Sequence, residues 1–312
     1  MIISFSIITF GLLLLLYCAD KMITYSDTIA REFALSPILI GLTIVAFGTS
    51  APELVITIIA SLKEMPATDA IIGNVIGSNI ANLILILGVS AFFFQIDLGK
   101  IKIATNIYLL LITTYFAVNF FLDTSFNLLF TVGFLIFFII YIFYIKNYQS
   151  EITEENQGDL NFSKTIYLKL IFTFIGIFIG GKLFLDGSLN LSIYFGLSET
   201  IIGVSVLAIG TSLPELATVI IAYIKNKGSI GIGNVIGSNI MNILFVFFPG
   251  LLIIQSRGLI LNIPDNSIIH IYALSISTLL IIMLSFLKIR IGKFIALIFM
   301  VSYASYIGYC VL

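Results

Sequence analysis

Two short runs of this chain set a single carboxylate in apolar surroundings, and they carry nearly the same letters. Ala46 to Ile56 reads AFGTSAPELVI and Ala208 to Thr218 reads AIGTSLPELAT. Glu53 is the only acidic or basic residue between Glu32 and Lys63, and Glu215 the only one between Glu199 and Lys225. A charge placed in this way is costly, and inside a membrane it marks an ion or proton pathway. The prolines add a second feature. Pro52 has no amide hydrogen and crowds the carbonyl of Gly48, four residues back, and Pro214 does the same to Gly210. Each helix is expected to kink or break there, and carbonyls freed at bilayer depth must be met by protein, water or an ion. Thr49, Ser50, Thr211 and Ser212 place hydroxyls beside those carbonyls, with Glu53 and Glu215 following within about one helical turn. An all-oxygen set with two carboxylates suits a hard cation such as Ca2+, Na+ or Mg2+. With no His or Cys nearby, the set does not suit zinc or copper.

A second repeated run supplies candidate opposing walls. Residues 73–80 and 233–240 both read GNVIGSNI, and Asn82 and Asn242 follow at the same spacing. Ser78 and Asn82, four apart, share one helical face, as do Ser238 and Asn242. Asn74, Asn79, Asn234 and Asn239 fall off that face and are expected to bond helices together. Gly73 and Gly77, like Gly233 and Gly237, have the small-residue spacing that lets helix backbones approach closely.

These motifs need long apolar elements to carry them, and the composition supplies them. Of 312 residues, 60% are hydrophobic and 10% charged, which describes a polytopic membrane protein. A net charge of -1 without a basic tract leaves no grip for nucleic acid. Apolar windows predict an all-α membrane protein with about ten spans: 2–19, 37–61, 70–95, 104–122, 126–145, 165–185, 200–224, 229–254, 268–287 and 294–311. A polar stretch over 146–164, with Glu151, Glu154, Glu155 and Asp159, reads as a cytoplasmic linker between a first five-helix repeat (1–145) and a second (165–312).

The two halves are copies. Gly41, Thr49 and Glu53 correspond to Gly203, Thr211 and Glu215 at an offset of 162, and the GNVIGSNI runs correspond at 160. Five spans per copy is odd, so the second copy must enter from the opposite side, giving an inverted repeat with broken helices 2 and 7. With the N-terminus outside, Lys21, Arg31, Lys100, Lys102, Lys146, Lys164, Lys169, Lys225, Lys227, Lys288, Arg290 and Lys293 fall on or near the cytoplasmic side, against Lys63, Lys182 and Arg257 outside. The positive-inside rule therefore places both termini outside. No basic stretch precedes the first span, which argues against a cleaved signal peptide. Tyr17, Tyr25, Tyr144, Tyr148, Tyr167 and Tyr309 lie near span ends and are expected to form an interfacial belt. Asp20, Lys21, Lys182, Asp186 and His270 are expected to be interfacial groups. Cys18 and Cys310 fall on opposite sides of the bilayer, so no disulfide joins them.

GTSxPE followed by GNxxGSNI, duplicated in inverted five-span halves, resembles the cation/calcium antiporter superfamily and is most similar to its prokaryotic sodium/calcium exchanger-like members. The resemblance covers nearly the whole chain. It implies a secondary active antiporter of the cell membrane, a monomeric transport unit that exchanges Ca2+ for Na+ with no cofactor and no enzymatic activity. It further implies that Glu53 and Glu215, with main-chain oxygens of Thr49 and Thr211, bind Ca2+. Sodium sites would be formed around Ser50, Ser78, Asn82, Ser212, Ser238 and the carbonyls of Ala46 and Ala208. Helices 1 and 6 would slide as a gate against the other eight. Asn242 departs from the pattern, since many such exchangers carry Asp there. An amide oxygen can ligate without carrying charge, so the cavity holds -2, which one Ca2+ neutralises and three Na+ would take to +1. Proton/calcium branches typically show GNxxE where this chain has GTSxPE, which favours sodium as the coupling ion. Two rival classes fit less well. A serine protease would need the second Gly that GTSAP lacks and a His near the motif, and a passive channel rarely breaks one helix in each of two inverted halves.

Overall fold

The computed structural model describes residues 2–122, 125–126, 128–148, 165–195, 208–263 and 267–311. Within hydrocarbon a backbone can satisfy its polar groups only internally, and apolar runs of this length accordingly wind into helices. Helix α1 spans Ile2–Glu32. The second span is built from α2 (Pro37–Ile40), a π-helical turn (Gly41–Val45), α3 (Ala46–Thr49) and α4 (Ala51–Leu62). There follow α5 (Thr68–Ile80), a π turn (Ala81–Ile86), α6 (Leu87–Phe93), α7 (Ile103–Leu122), α8 (Leu128–Tyr148) and α9 (Thr165–Tyr194). The second half continues with α10 (Ala208–Thr211), α11 (Leu213–Ile224), α12 (Gly228–Met241), a π turn (Asn242–Phe247), α13 (Phe248–Ser256), α14 (Ser267–Phe286) and α15 (Lys293–Val311). Among the described residues eight helices are long and apolar enough to cross a bilayer, and Pro37–Thr49 with Ala51–Leu62, bent by 46°, makes a ninth candidate. The expected residues 200–207 lie outside the described set.

Two pairs of short antiparallel strands tie distant loops together. Ile96 and Asp97 (β1) pair with Ile291 and Arg290 (β4), and Ser125 and Phe126 (β2) pair with Asn262 and Leu261 (β3). Most buried apolar side chains belong to one cluster drawn from the second through fifth spans, α11 to α13, α14 and α15. α1 and α9 share a smaller cluster with Ile40, Val45, Ala222 and Ile230, and they lie against each other through glycines. A Cβ on Gly11 would meet the Phe184 amide at 2.6 Å, and one on Gly180 the Leu15 amide at 2.7 Å.

Several expectations are revised. α1 runs well past residue 19, and at about 1.5 Å per residue its 31 residues reach about 46 Å, beyond a hydrocarbon layer of about 30 Å. Its polar end carries ion pairs, and the interfacial Asp20 is a partner of Lys225 at 2.7 Å. Tyr148 is buried, with the Lys102 ammonium 4.0 Å from its ring centre, and Tyr144 packs edge-on against it. These two rings belong to packing and not to a lipid-facing belt, whereas Tyr17, Tyr167 and Tyr309 are exposed. Gly233 and Gly237 do bring α12 onto the second span. A Cβ on Gly233 would lie 2.4 Å from the Ile38 carbonyl, and one on Gly237 2.7 Å from that of Leu42. For Gly73 and Gly77 the corresponding partners, near 200–204, lie outside the described residues. Cys18 and Cys310 are both free thiols.

Candidate functional site

The break in each motif falls at its serine. Ser50 has φ -82° and ψ 5°, and Ser212 φ -89° and ψ 4°. Both sit in the sparsely populated bridge region between helix and extended backbone, which is where active-site residues collect. Each break starts a new helix, α4 or α11, with proline in its first two positions and Glu53 or Glu215 in its first turn. Proline is tolerated there because the amide it lacks would have had no partner. The same placement sets each carboxylate at the positive end of a helix dipole. The GTSxPE spacing thus does two things, opening the backbone and supplying favourable field for the acid that follows.

Both carboxylates are fully out of solvent, Glu53 at 0% and Glu215 at 1% exposure, and none of their four oxygens has a hydrogen-bond partner. The hydroxyls of Ser50 and Ser212, both side-chain polar atoms of Asn82 and the Oδ1 of Asn242 are also buried without partners. Buried polar groups are nearly always paired, and a buried unpaired charge costs several kcal/mol. Unpaired oxygens of this number are groups that a bound cation could satisfy.

Hydrogen bonds between and within the halves hold these groups in place. Thr49 Oγ1 donates to Asn234 Oδ1 at 3.0 Å and lies 3.3 Å from Ser238 Oγ. Asn242 Nδ2 donates to Ser78 Oγ at 2.9 Å and to Asn79 Oδ1 at 3.1 Å, and Ser78 passes its own hydrogen to the Asn74 carbonyl at 2.7 Å. Asn74 Nδ2 donates to the Glu53 carbonyl at 3.0 Å and to Thr57 Oγ1 at 3.1 Å. Asn74, Asn79 and Asn234 therefore bond helices together as expected, and they do so around the acids. Asn239 instead donates to Val235 of its own helix at 2.8 Å and bridges nothing described. Ala46 accepts from the Ser50 amide at 3.0 Å through its carbonyl, and Ala208 opens α10. Thr211 ends α10 next to the break.

The sequence reading missed the π turns. One starts at Ala81, beside Asn82, and another at Asn242 itself. A π turn inserts a residue into the ladder, and such turns recur at functional sites. The letters ANLILI and NILFVF carry no signal for one; only their common position in the two copies does. Among the described residues no three His, Cys, Asp or Glu groups converge as for a resident metal.

A family model described as sodium/calcium exchanger protein matches residues 3–146 and 165–312. The sodium/calcium exchanger MaX1 of Methanosarcina acetivorans is 33% identical over 291 residues, covering 78% of this chain and 81% of that protein. An uncharacterized membrane protein of Methanocaldococcus jannaschii is 36% identical over 296 residues, 94% of this chain and 93% of that one. The structure of the sodium-calcium exchanger NCX_Mj soaked with 10 mM Na+ and zero Ca2+ superposes with a TM-score of 0.83 at 33% identity over 98% of each chain. The same protein soaked with 2.5 mM Na+ and 0.1 mM Ca2+ gives 0.81 at 32% identity.

Proposed function

The chain belongs to the sodium/calcium exchanger protein family, and from that premise we propose that it is a secondary active antiporter moving Ca2+ against Na+ across a cell membrane. The observation that carries this reading is the pair of buried carboxylates, one at the start of a helix in each half, with all four oxygens unpartnered. Glu53 and Glu215, with the main-chain oxygens of Thr49 and Thr211, hold Ca2+. Na+ is held around Ser50, Ser78, Asn82, Ser212, Ser238 and the carbonyls of Ala46 and Ala208. Asn242 places Ser78 through its Nδ2 and offers its unpartnered Oδ1 to the same cavity.

The architecture we assign is two inverted five-helix repeats, 1–145 and 165–312, joined by a cytoplasmic linker over 146–164. The strand pairs support it. At one offset of 165 residues, Ile96 and Asp97 correspond to Leu261 and Asn262, and Ser125 and Phe126 to Arg290 and Ile291, so the β1–β4 register becomes the β3–β2 register. Interchange of this kind is what a twofold axis in the membrane plane requires. Both termini then face outside, and one chain forms the transport unit.

Exchange without leak follows from electrostatics. Closing the cavity over two bare carboxylates costs several kcal/mol per uncompensated ion, so the empty carrier does not switch sides. Loaded with Ca2+ or with Na+ it does, through inward-facing and outward-facing states. The test is 45Ca uptake into proteoliposomes driven in turn by outward gradients of Na+, K+ or H+. Uptake is expected with Na+ alone; uptake driven equally by H+ would overturn the choice of coupling ion.

A further inference from the structure

At the end of the bundle where α14 begins and α15 finishes, an imidazole, a phenol and a thiol converge. His270 stands in the first turn of α14, and Tyr303, Tyr306 and Cys310 lie on the last turns of α15. His270 Nδ1 is 2.9 Å from the Tyr306 hydroxyl and 4.0 Å from Cys310 Sγ. Tyr303 packs beside Tyr306 with ring centres 6.3 Å apart. His270, Tyr306 and Cys310 are only partly buried, and each lies within about two turns of a helix end.

The first half shows what packing alone asks of these positions. At the offset of 162, His270, Tyr303, Tyr306 and Cys310 correspond to Tyr108, Tyr141, Tyr144 and Tyr148. Those four tyrosines gather at similar spacing. Tyr108 lies 6.3 Å from Tyr144 where His270 lies 5.8 Å from Tyr306, and Tyr141 lies 6.5 Å from Tyr144 where Tyr303 lies 6.3 Å from Tyr306. Four rings therefore suffice to join this pair of helices. In the second half two of the four have given way to an imidazole and a thiol, the side chains that ligate borderline and soft metals. A hydrogen bond between His270 and Tyr306 needs no sulfur, yet Cys310 brings one to the same nitrogen.

We propose that His270 Nδ1, Cys310 Sγ and the Tyr306 hydroxyl form a binding site for a thiophilic divalent cation of the zinc and cadmium class, separate from the all-oxygen cavity between the halves. A metal bonded to nitrogen at about 2.0 Å and to sulfur at about 2.3 Å spans the 4.0 Å gap at an angle between trigonal and linear, without movement of either side chain. The imidazole binds as the neutral tautomer protonated on Nε2, and the thiol gives its proton to water. The phenol adds a neutral oxygen once its hydrogen turns away from Nδ1, and water completes four-coordination. Softness separates the two sites, since carboxylate and carbonyl oxygens favour Ca2+ and Na+ whereas imidazole and thiolate favour Zn2+. The inference stands on these residues alone and does not depend on which ion the central cavity carries.

The test uses the full purified chain in a Cys18→Ser background, which leaves Cys310 as its one thiol. Cd2+ is the probe, with excess Ca2+ present to compete at oxygen ligands. One Cd2+ per chain should bind with a thiolate-to-metal absorption band in the ultraviolet, and added Zn2+ should remove the band by competition. His270→Tyr installs the residue of the first half, and thermal unfolding of the metal-free protein checks that it folds. It should weaken Cd2+ binding by more than the roughly 10–100-fold typical of losing an outer-shell partner. His270→Ala gives the same reading should the larger ring disturb packing. Tyr306→Phe should weaken binding by less than either, and Cys310→Ser should abolish the band. Absence of the band in the Cys18→Ser protein overturns the proposal, and so does a band of unchanged affinity in the His270 variants, which would mean that the thiol takes metal by itself.

Discussion

At the scale of single residues, the proposed site sets two buried acids against neutral oxygens. Removing one carboxylate leaves a divalent ion facing half its counter-charge in a place without water. Glu53→Gln and Glu215→Gln should each weaken Ca2+ binding by about 3 kcal/mol, roughly 100-fold, and abolish exchange in proteoliposomes. Near-normal exchange in either variant would remove that residue from the site. Asn242 gives a finer prediction, because it donates both amide hydrogens, to Ser78 and to Asn79, and carries no charge. Asn242→Asp brings the cavity to -3 when ionised, which three Na+ neutralise better than one Ca2+ does. Na+ should therefore compete more strongly against Ca2+, and by more at about pH 9 than at about pH 6, since only the ionised carboxyl contributes. An equal change at every pH would mean that Asn242 acts through its bonds to Ser78 and Asn79.

At the scale of elements, the helix breaks were legible because proline acts locally. Pro52 and Pro214 remove a donor whatever surrounds them, and the structure breaks both helices at the preceding serine. The roles of Asn74 and Asn234 were legible as helix bonding, but their partners, the Glu53 carbonyl and Thr49, were not, since those contacts depend on how helices cross. The π turns left no trace in composition, and the contact of Tyr148 with Lys102 joins residues distant in sequence. Close packing of α12 on the second span was readable from glycine spacing and is testable. Gly233→Ala would place a methyl 2.4 Å from the Ile38 carbonyl and should cost about 1–3 kcal/mol of stability. Gly308→Ala, with no described atom within 4 Å, should stay within about 0.5 kcal/mol of wild type. Thermal unfolding in detergent compares the two, and equal midpoints would contradict the packing account.

At the scale of the whole molecule, the account requires a membrane topology in which each motif is approached from both sides. The orientation we propose from the asymmetry of Lys and Arg puts the linker over 146–164 in the cytoplasm. In a background lacking Cys18 and Cys310, an impermeant thiol reagent applied outside should label Met65→Cys, at a position 86% exposed, and should not label Glu154→Cys. The reverse pattern would invert the orientation and with it the side on which the ion pairs of α1 lie. The central claim is that Ca2+ and Na+ share one cavity formed by both halves, and titration of the purified protein with 45Ca in the presence of increasing Na+ tests it most directly. The account predicts one Ca2+ bound per chain, displaced competitively and fully by Na+, with binding lost in both Glu53→Gln and Glu215→Gln. Ca2+ that stays bound at saturating Na+, or that survives the loss of either carboxylate, would contradict it.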